Sequence, residues 1–146
     1  MNPNSLQKTL PGKKIKQWVV LSGYQRCFTV PIDGYLYLSL LPVTQAKVGG
    51  VLIKITKSDL AKLKKREIGY RCADVTGQIQ GVNFENIYTF IGPSEFLPEF
   101  SILKSYIVTC LKYVPYAVRK RWEKETIIKN KIEDDLKKPK YQNANF

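Results

Sequence analysis

The segment 63–71, LKKREIGYR, concentrates the residue types that can handle a proton. Glu67 supplies a carboxylate and Tyr70 a phenol three residues later, with Lys64, Lys65, Arg66 and Arg71 around them. A carboxylate can both take and return a proton where burial makes it a better base, so general acid/base work is within reach of this segment. Much other chemistry is not. The 146 residues contain no histidine, which excludes Ser-His-Asp and Cys-His nucleophile pairs and every metal site that needs imidazole. Cys27, Cys72 and Cys110 are far apart and lack C-x-x-C spacing, so they are expected as buried, reduced thiols. By residue type alone, Glu67 reads as an ion-pairing residue on a surface. Tyr24, Tyr70, Tyr88 and Tyr106 read as core aromatics, and Arg26 and Arg71 as surface cations.

The elements that must position these groups can be read from periodicity. The runs 17–21 (QWVVL) and 27–30 (CFTV) predict two short strands separated by Ser22-Gly23. A third, 35–40 (YLYLSL), follows Asp33-Gly34, a strong hairpin signal. The run 48–55 (VGGVLIKI) predicts a fourth, whose Gly49-Gly50 marks a bulge or a close approach of backbone. Thr56-x-x-Asp59 then has the spacing of a capping box, and Leu60 and Leu63 recur behind it at helical spacing, so a short helix should run to about Arg66 and leave through Gly69. Residues 73–79 and 86–91 predict a further pair of strands joined across Gly81. From Ile102 the period changes. Ile102, Leu103, Tyr106, Ile107, Cys110, Leu111 and Val114 form one helical face, which Pro115 stops. Val118, Trp122, Ile128 and Ile132 predict a second, very basic helix, and 137–146 has too little apolar content to pack. Strands followed by helices make this an α+β chain.

Composition supports one folded domain: 44% of residues are hydrophobic and 25% charged. A net charge of +12, from 24 basic and 12 acidic residues, predicts attraction to polyanions. Arginine, which bidentate phosphate recognition prefers, is the minority cation, so solvated lysine faces explain most of the charge. No run of about 18 apolar residues is present and the first residues lack the order of a signal peptide, so no membrane partner and a cytoplasmic location are expected.

Arranged as strand, short helix and then L-x-x-R-E-x-G-Y, the segment around Glu67 resembles the core of the gamma-glutamylcyclotransferase family. Family-like features follow in order: GYQRCF at 23–28, GGVLIKI at 49–55, NIYTFI at 86–91 with Tyr88, and a helix carrying Ser105-Tyr106. The resemblance covers about Asn2 to Pro115. It implies a gamma-glutamylcyclotransferase-like mixed β-sheet or barrel with short helices over 1–115, a basic C-terminal helix over 116–136 and a loose tail over 137–146. The family's other signature is a Tyr-Gly-Ser turn after a first strand, whose backbone N–H groups cradle the substrate. The opening MNPNSLQKTLPG is similar to the continuation of such a turn, with Met1 where its final methionine would stand. A chain starting at Met1 is thus expected to lack that cradle and to be poorly active.

The resemblance implies cyclisation of a small γ-glutamyl amino acid, peptide or amine to 5-oxoproline, with Glu67 as catalytic acid/base and Tyr70 and Tyr88 as substrate-binding residues. It implies no cofactor and no metal, because the substrate's own amino group is the nucleophile. Two other readings stay open: a catalytically silent ligand- or partner-binding domain of the same fold, and a basic nucleic-acid-associated protein. Specific nucleic-acid recognition is not expected, because the aromatics fall within apolar strand and helix patterns. The identity of the γ-glutamyl substrate and the oligomeric state are not legible.

Overall fold

Asp33 and Gly34 adopt φ of 49° and 83°, the two positive values that a two-residue type I′ hairpin turn requires. In the computed structural model, which describes residues 7–13, 15–112 and 114–137, the chain therefore doubles straight back on itself there. The result is one hairpin of β1 (Ile15–Ile32) and β2 (Tyr35–Ile53), of 18 and 19 residues. The four short strands expected from the apolar runs are thus two long ones. The reason is that irregularities absorb the turn-like residues without ending the strands. Ser22 pairs with Lys47 and Tyr24 with Pro42, so Gly23, at φ 82°, alone faces residues 43–46. Such a bulge bends a strand and increases its twist without breaking it. At Gly49-Gly50 the ladder stays in register, against Val20 and Val19, so there is no bulge. Nor is there a close approach that demands glycine: a Cβ at Gly49 would come no nearer than 3.9 Å to the Glu125 carboxylate, and one at Gly50 would meet nothing within 4 Å. The Gly49 N–H donates to the Glu125 carboxylate at 3.2 Å, and the Arg26 guanidinium donates to the Gly49 carbonyl at 2.8 Å.

β1 is the central strand of the main sheet. One edge carries β2; the other carries the bridge from Leu21 to Ile79 and, further along, β6 (Thr126–Ile127) in parallel. Two smaller ladders complete the strands: β3 (Arg71–Asp74) antiparallel to β4 (Tyr88–Ile91), and β5 (Ile102–Leu103) parallel to β7 (Ile132–Glu133). These sheets stay open, so among the described residues the barrel form of the expectation is not found and the mixed-sheet form is.

The capping box forms as expected at α1 (Lys57–Arg66), with the Thr56 hydroxyl accepting from the Asp59 N–H and the Asp59 carboxylate from the Thr56 N–H. α2 (Lys104–Lys112) begins two residues later than its apolar face suggests, because Ile102 and Leu103 are taken into β5. The basic helix expected over 116–136 is corrected to α3 (Tyr116–Lys124). The Thr126 hydroxyl donates to the Trp122 carbonyl at 2.6 Å where a continued helix would use that carbonyl for its own ladder, and Thr126 and Ile127 then pair with β1. A 3₁₀ turn, Asp135–Lys137, follows. The expected loose tail lies outside the described residues beyond Lys137.

Three apolar clusters hold the layers together. Leu21, Tyr24, Val48, Val75, Ile79 and Ile91 fill the space beneath the outer half of the hairpin. Phe28, Leu36, Ile102 and Trp122 join the inner half to α2 and α3, so the C-terminal segment shares the core of the residues before it. Leu10 and Leu63 pin α1 to the residues that precede the hairpin. Arg26, expected at the surface, is buried in this framework. No described helix is long and apolar enough to cross a membrane.

Candidate active site

Glu67 is placed by the way α1 ends. Its N–H still completes a helical bond to the Leu63 carbonyl at 2.8 Å, but its own backbone has left the helix, at φ −83° and ψ 55°. The chain then turns tightly through Ile68 and Gly69, and the Tyr70 N–H returns to the Glu67 carbonyl at 3.1 Å. Gly69 holds φ 87° at the third position of this turn, where a side chain would be strained. The turn carries Glu67 and Tyr70 on one unit, as their spacing implies. The Glu67 side chain is only 17% exposed, and one carboxylate oxygen accepts from the Arg66 guanidinium at 2.9 Å.

Tyr70 is half-buried and reaches across to the hairpin, where its hydroxyl donates to the Leu38 carbonyl at 2.8 Å. Burial, and next the negative charge of Glu67, push its phenol well above the usual range, so it stays a neutral hydroxyl at any physiological pH. Tyr106 on α2 meets the same residue: its hydroxyl oxygen accepts the Leu38 N–H at 3.3 Å. Its phenol is likewise raised, chiefly by burial, and its ring meets Tyr37 edge-on at 4.8 Å between centroids. Leu38 therefore turns both backbone polar groups away from β1, and two tyrosines satisfy them where a further strand would otherwise pair. Next along β2, the Ser39 hydroxyl accepts the Gly92 N–H at 2.5 Å.

Tyr88, the other residue expected to bind substrate, stands elsewhere. It opens β4 opposite Asp74 and is 40% exposed, whereas the end of that ladder adjoining the Glu67 turn is Arg71 with Ile91. Three residues of strand separate the two ends, about 10 Å. The structure thus brings Tyr70 to Glu67 and leaves Tyr88 apart. Tyr106, which apolar periodicity reads as a core residue and the resemblance places in its Ser105-Tyr106 helix, is the tyrosine that joins Tyr70; its target is backbone, which neither signal specifies. A shallow cleft lined by Cys27, Thr29, Glu95, Phe96, Lys129 and Asn130 lies away from this turn. Cys27 is buried and Cys72 and Cys110 are half-buried, all three as free thiols. Among the described residues no group of three or more Cys, Asp or Glu side chains is placed to hold a metal.

No family model and no curated protein matches the sequence. The chain shares the fold of YkqA from Bacillus subtilis. The crystal structure of that protein matches with a TM-score of 0.60 at 21% identity, over 83% of this chain and 46% of YkqA. This chain therefore spans less than half the length of that neighbour. A likeness at this identity is one of architecture: an α+β chain with a gamma-glutamylcyclotransferase-like fold. Chemically, the site offers one carboxylate held by a guanidinium, and one hydroxyl whose hydrogen is committed to Leu38. That hydroxyl can still accept a hydrogen bond, so the pair favours a ligand that brings donors, such as an ammonium.

Proposed function

We propose that this chain is a gamma-glutamylcyclotransferase-like enzyme that converts the γ-glutamyl group of a small amino acid, peptide or amine conjugate into 5-oxoproline and releases the amine. The observation that carries this reading is the Glu67–Tyr70 turn, which holds a carboxylate only 17% exposed within electrostatic reach of a hydroxyl able only to accept from a ligand. The fold shared with YkqA and the L-x-x-R-E-x-G-Y spacing support it.

The reaction needs little else. The α-ammonium of the substrate is met by the Tyr70 oxygen and by Glu67, which takes one proton and leaves the free amine. That nitrogen attacks the γ-carbonyl carbon, forming the ring C–N bond; the amide C–N bond breaks as Glu67 returns its proton to the departing amine, and the second proton, shed by the ring nitrogen as it becomes a lactam N–H, passes by the same carboxylate to that amine, which leaves as its ammonium. Because the nucleophile is part of the substrate, no enzyme nucleophile and no redox partner enters the balance. Holding the chain of the glutamyl group folded accounts for much of the acceleration, since ring closure is intramolecular.

Glu67→Gln tests the reading, assayed by 5-oxoproline release from a panel of γ-glutamyl compounds. Gln keeps the size and reach of Glu but carries no exchangeable acid proton, so turnover should fall roughly 10²- to 10⁴-fold while the fold survives. Equal turnover in both proteins would remove Glu67 from the mechanism. Binding of γ-glutamyl compounds without turnover by the parent chain would put it among ligand-binding domains instead.

A further inference from the structure

Arg66 and Glu67 are adjacent in sequence, and adjacent residues of a continuing helix point about 100° apart and do not meet. Here they meet at 2.9 Å because Glu67 has already left helical geometry. The second terminal nitrogen of the same guanidinium donates to the Thr9 hydroxyl at 3.0 Å. Thr9 belongs to the residues that pack ahead of the hairpin, where its neighbour Leu10 is buried against Leu63 of α1. One planar group thus spans two separate parts of the chain. The side chains of Arg66 and Glu67 are 26% and 17% exposed, so water screens their attraction only in part.

We propose that Arg66 is a positioning residue for the acid/base: anchored on Thr9, it fixes Oε1 of Glu67 and leaves Oε2 as the oxygen that exchanges the proton. The proposal rests on the cyclotransferase reading for its catalytic consequence, but the linkage itself stands on geometry. A rigid fork with separate donors can hold a hydroxyl and a carboxylate at once, which a lysine ammonium on a flexible stem does much less well. Through this bond Thr9 becomes part of the site. Tyr70 faces Glu67 from the following turn and stays protonated, so it does not compete for the proton.

The test uses Arg66→Gln, Arg66→Lys, Thr9→Val and Glu67→Gln in the full chain, with the Arg66 guanidinium followed by nitrogen-resolved NMR. A guanidinium held on both terminal nitrogens rotates slowly about its C–N bonds and gives separate Nη–H signals; the parent should show them, and Thr9→Val and Glu67→Gln should merge them. In turnover, Arg66→Gln and Thr9→Val should lower kcat several-fold with little change in KM, and Arg66→Lys should recover only a small part of the loss. Merged Nη–H signals in the parent overturn the proposal, as does a Thr9→Val protein identical to parent in those signals and in kcat. The NMR readout needs no substrate, so it decides the linkage even if no γ-glutamyl compound is turned over, an outcome that would count against the cyclotransferase reading alone.

Discussion

Tyr70 and Tyr106 divide a single residue between them: one donates its hydroxyl hydrogen to the carbonyl of Leu38, the other accepts the N–H. A hydroxyl from the loop after α1 and one from α2 thus meet on the outer edge of β2. Removing either hydroxyl leaves a half-buried backbone group without its partner, which costs about 1–3 kcal/mol. Tyr70→Phe and Tyr106→Phe should each lower the urea midpoint by a corresponding amount. Only Tyr70→Phe should also raise KM for a γ-glutamyl compound, because Tyr106 has no direct part in holding it.

Gly92 follows β4, and its N–H donates to Ser39. A methyl group there would collide with the Ser39 hydroxyl and come within 2.6 Å of a Val30 methyl carbon and 2.9 Å of Ser39 Cβ. These neighbours are buried and cannot step aside freely. Gly92→Ala should destabilise the fold by about 1–3 kcal/mol, the usual cost of overpacking, measured by denaturant unfolding. Shortening Ser39 to Gly in the same chain should recover part of it; the Val30 contact remains.

Arg26 is buried with its guanidinium on the carbonyls of Gly49 and Trp122 and the Thr126 hydroxyl, lying 5.1 Å from the centre of the Trp122 ring. Burial lowers its pKa to about 10, and Glu125 partly opposes this. Arg26→Lys keeps a charge but loses the fork and the stacked plane. It should cost about 1.5–3 kcal/mol, with a changed Trp122 fluorescence in the native state as the local signature.

Asp59 sits under the first turn of α1, where the Thr56 N–H and then the Lys13 ammonium hold its pKa down at about 2, from an ordinary 3.8. A carboxyl whose folded pKa is depressed stabilises the fold above its unfolded value. That contribution drains away as pH falls from about 4 to 2. Stability measured across this window should decline more steeply in the parent than in Asp59→Asn, which has no proton to take up there.

Local signals predicted what local chemistry decides. The Asp33-Gly34 turn, the Thr56–Asp59 capping box and the Gly69 exit each involve residues within four positions of one another, and all three form. Long-range competition was not legible. Ile128 and Ile132 carry spacing that suits a helix, but backbone partners on β1 and β5 draw their segment into strands. Ser22-Gly23 looks like a strand break, yet β1 runs through it because β2 bulges opposite. Arg26 looks like a surface cation because the carbonyls, hydroxyl and ring that receive it lie 23 to 100 residues away. At the site, Glu67 and Tyr70 share a turn and were found together. Arg66 stands in the L-x-x-R-E-x-G-Y spacing and Tyr106 in the Ser105-Tyr106 pair, but their contacts, to Thr9 and to the Leu38 backbone, are long-range and no spacing encodes them.

β1 acquires its parallel neighbour only when Thr126, 100 residues downstream of Arg26, has been made. The hairpin needs no such wait: its strands are consecutive, and hairpins close in about 1–10 μs. Ribosomes add about 5–20 residues per second and β2 ends at Ile53, so the Arg26–Cys27 stretch of the newly closed hairpin's edge stays bare for roughly 4–15 s of every synthesis. A bare strand edge is a template for pairing with any other chain. The yield of this protein in a cell therefore depends on what shields that edge during those seconds, and a nascent chain stalled before Thr126 should be held by chaperones more tightly than one stalled after it.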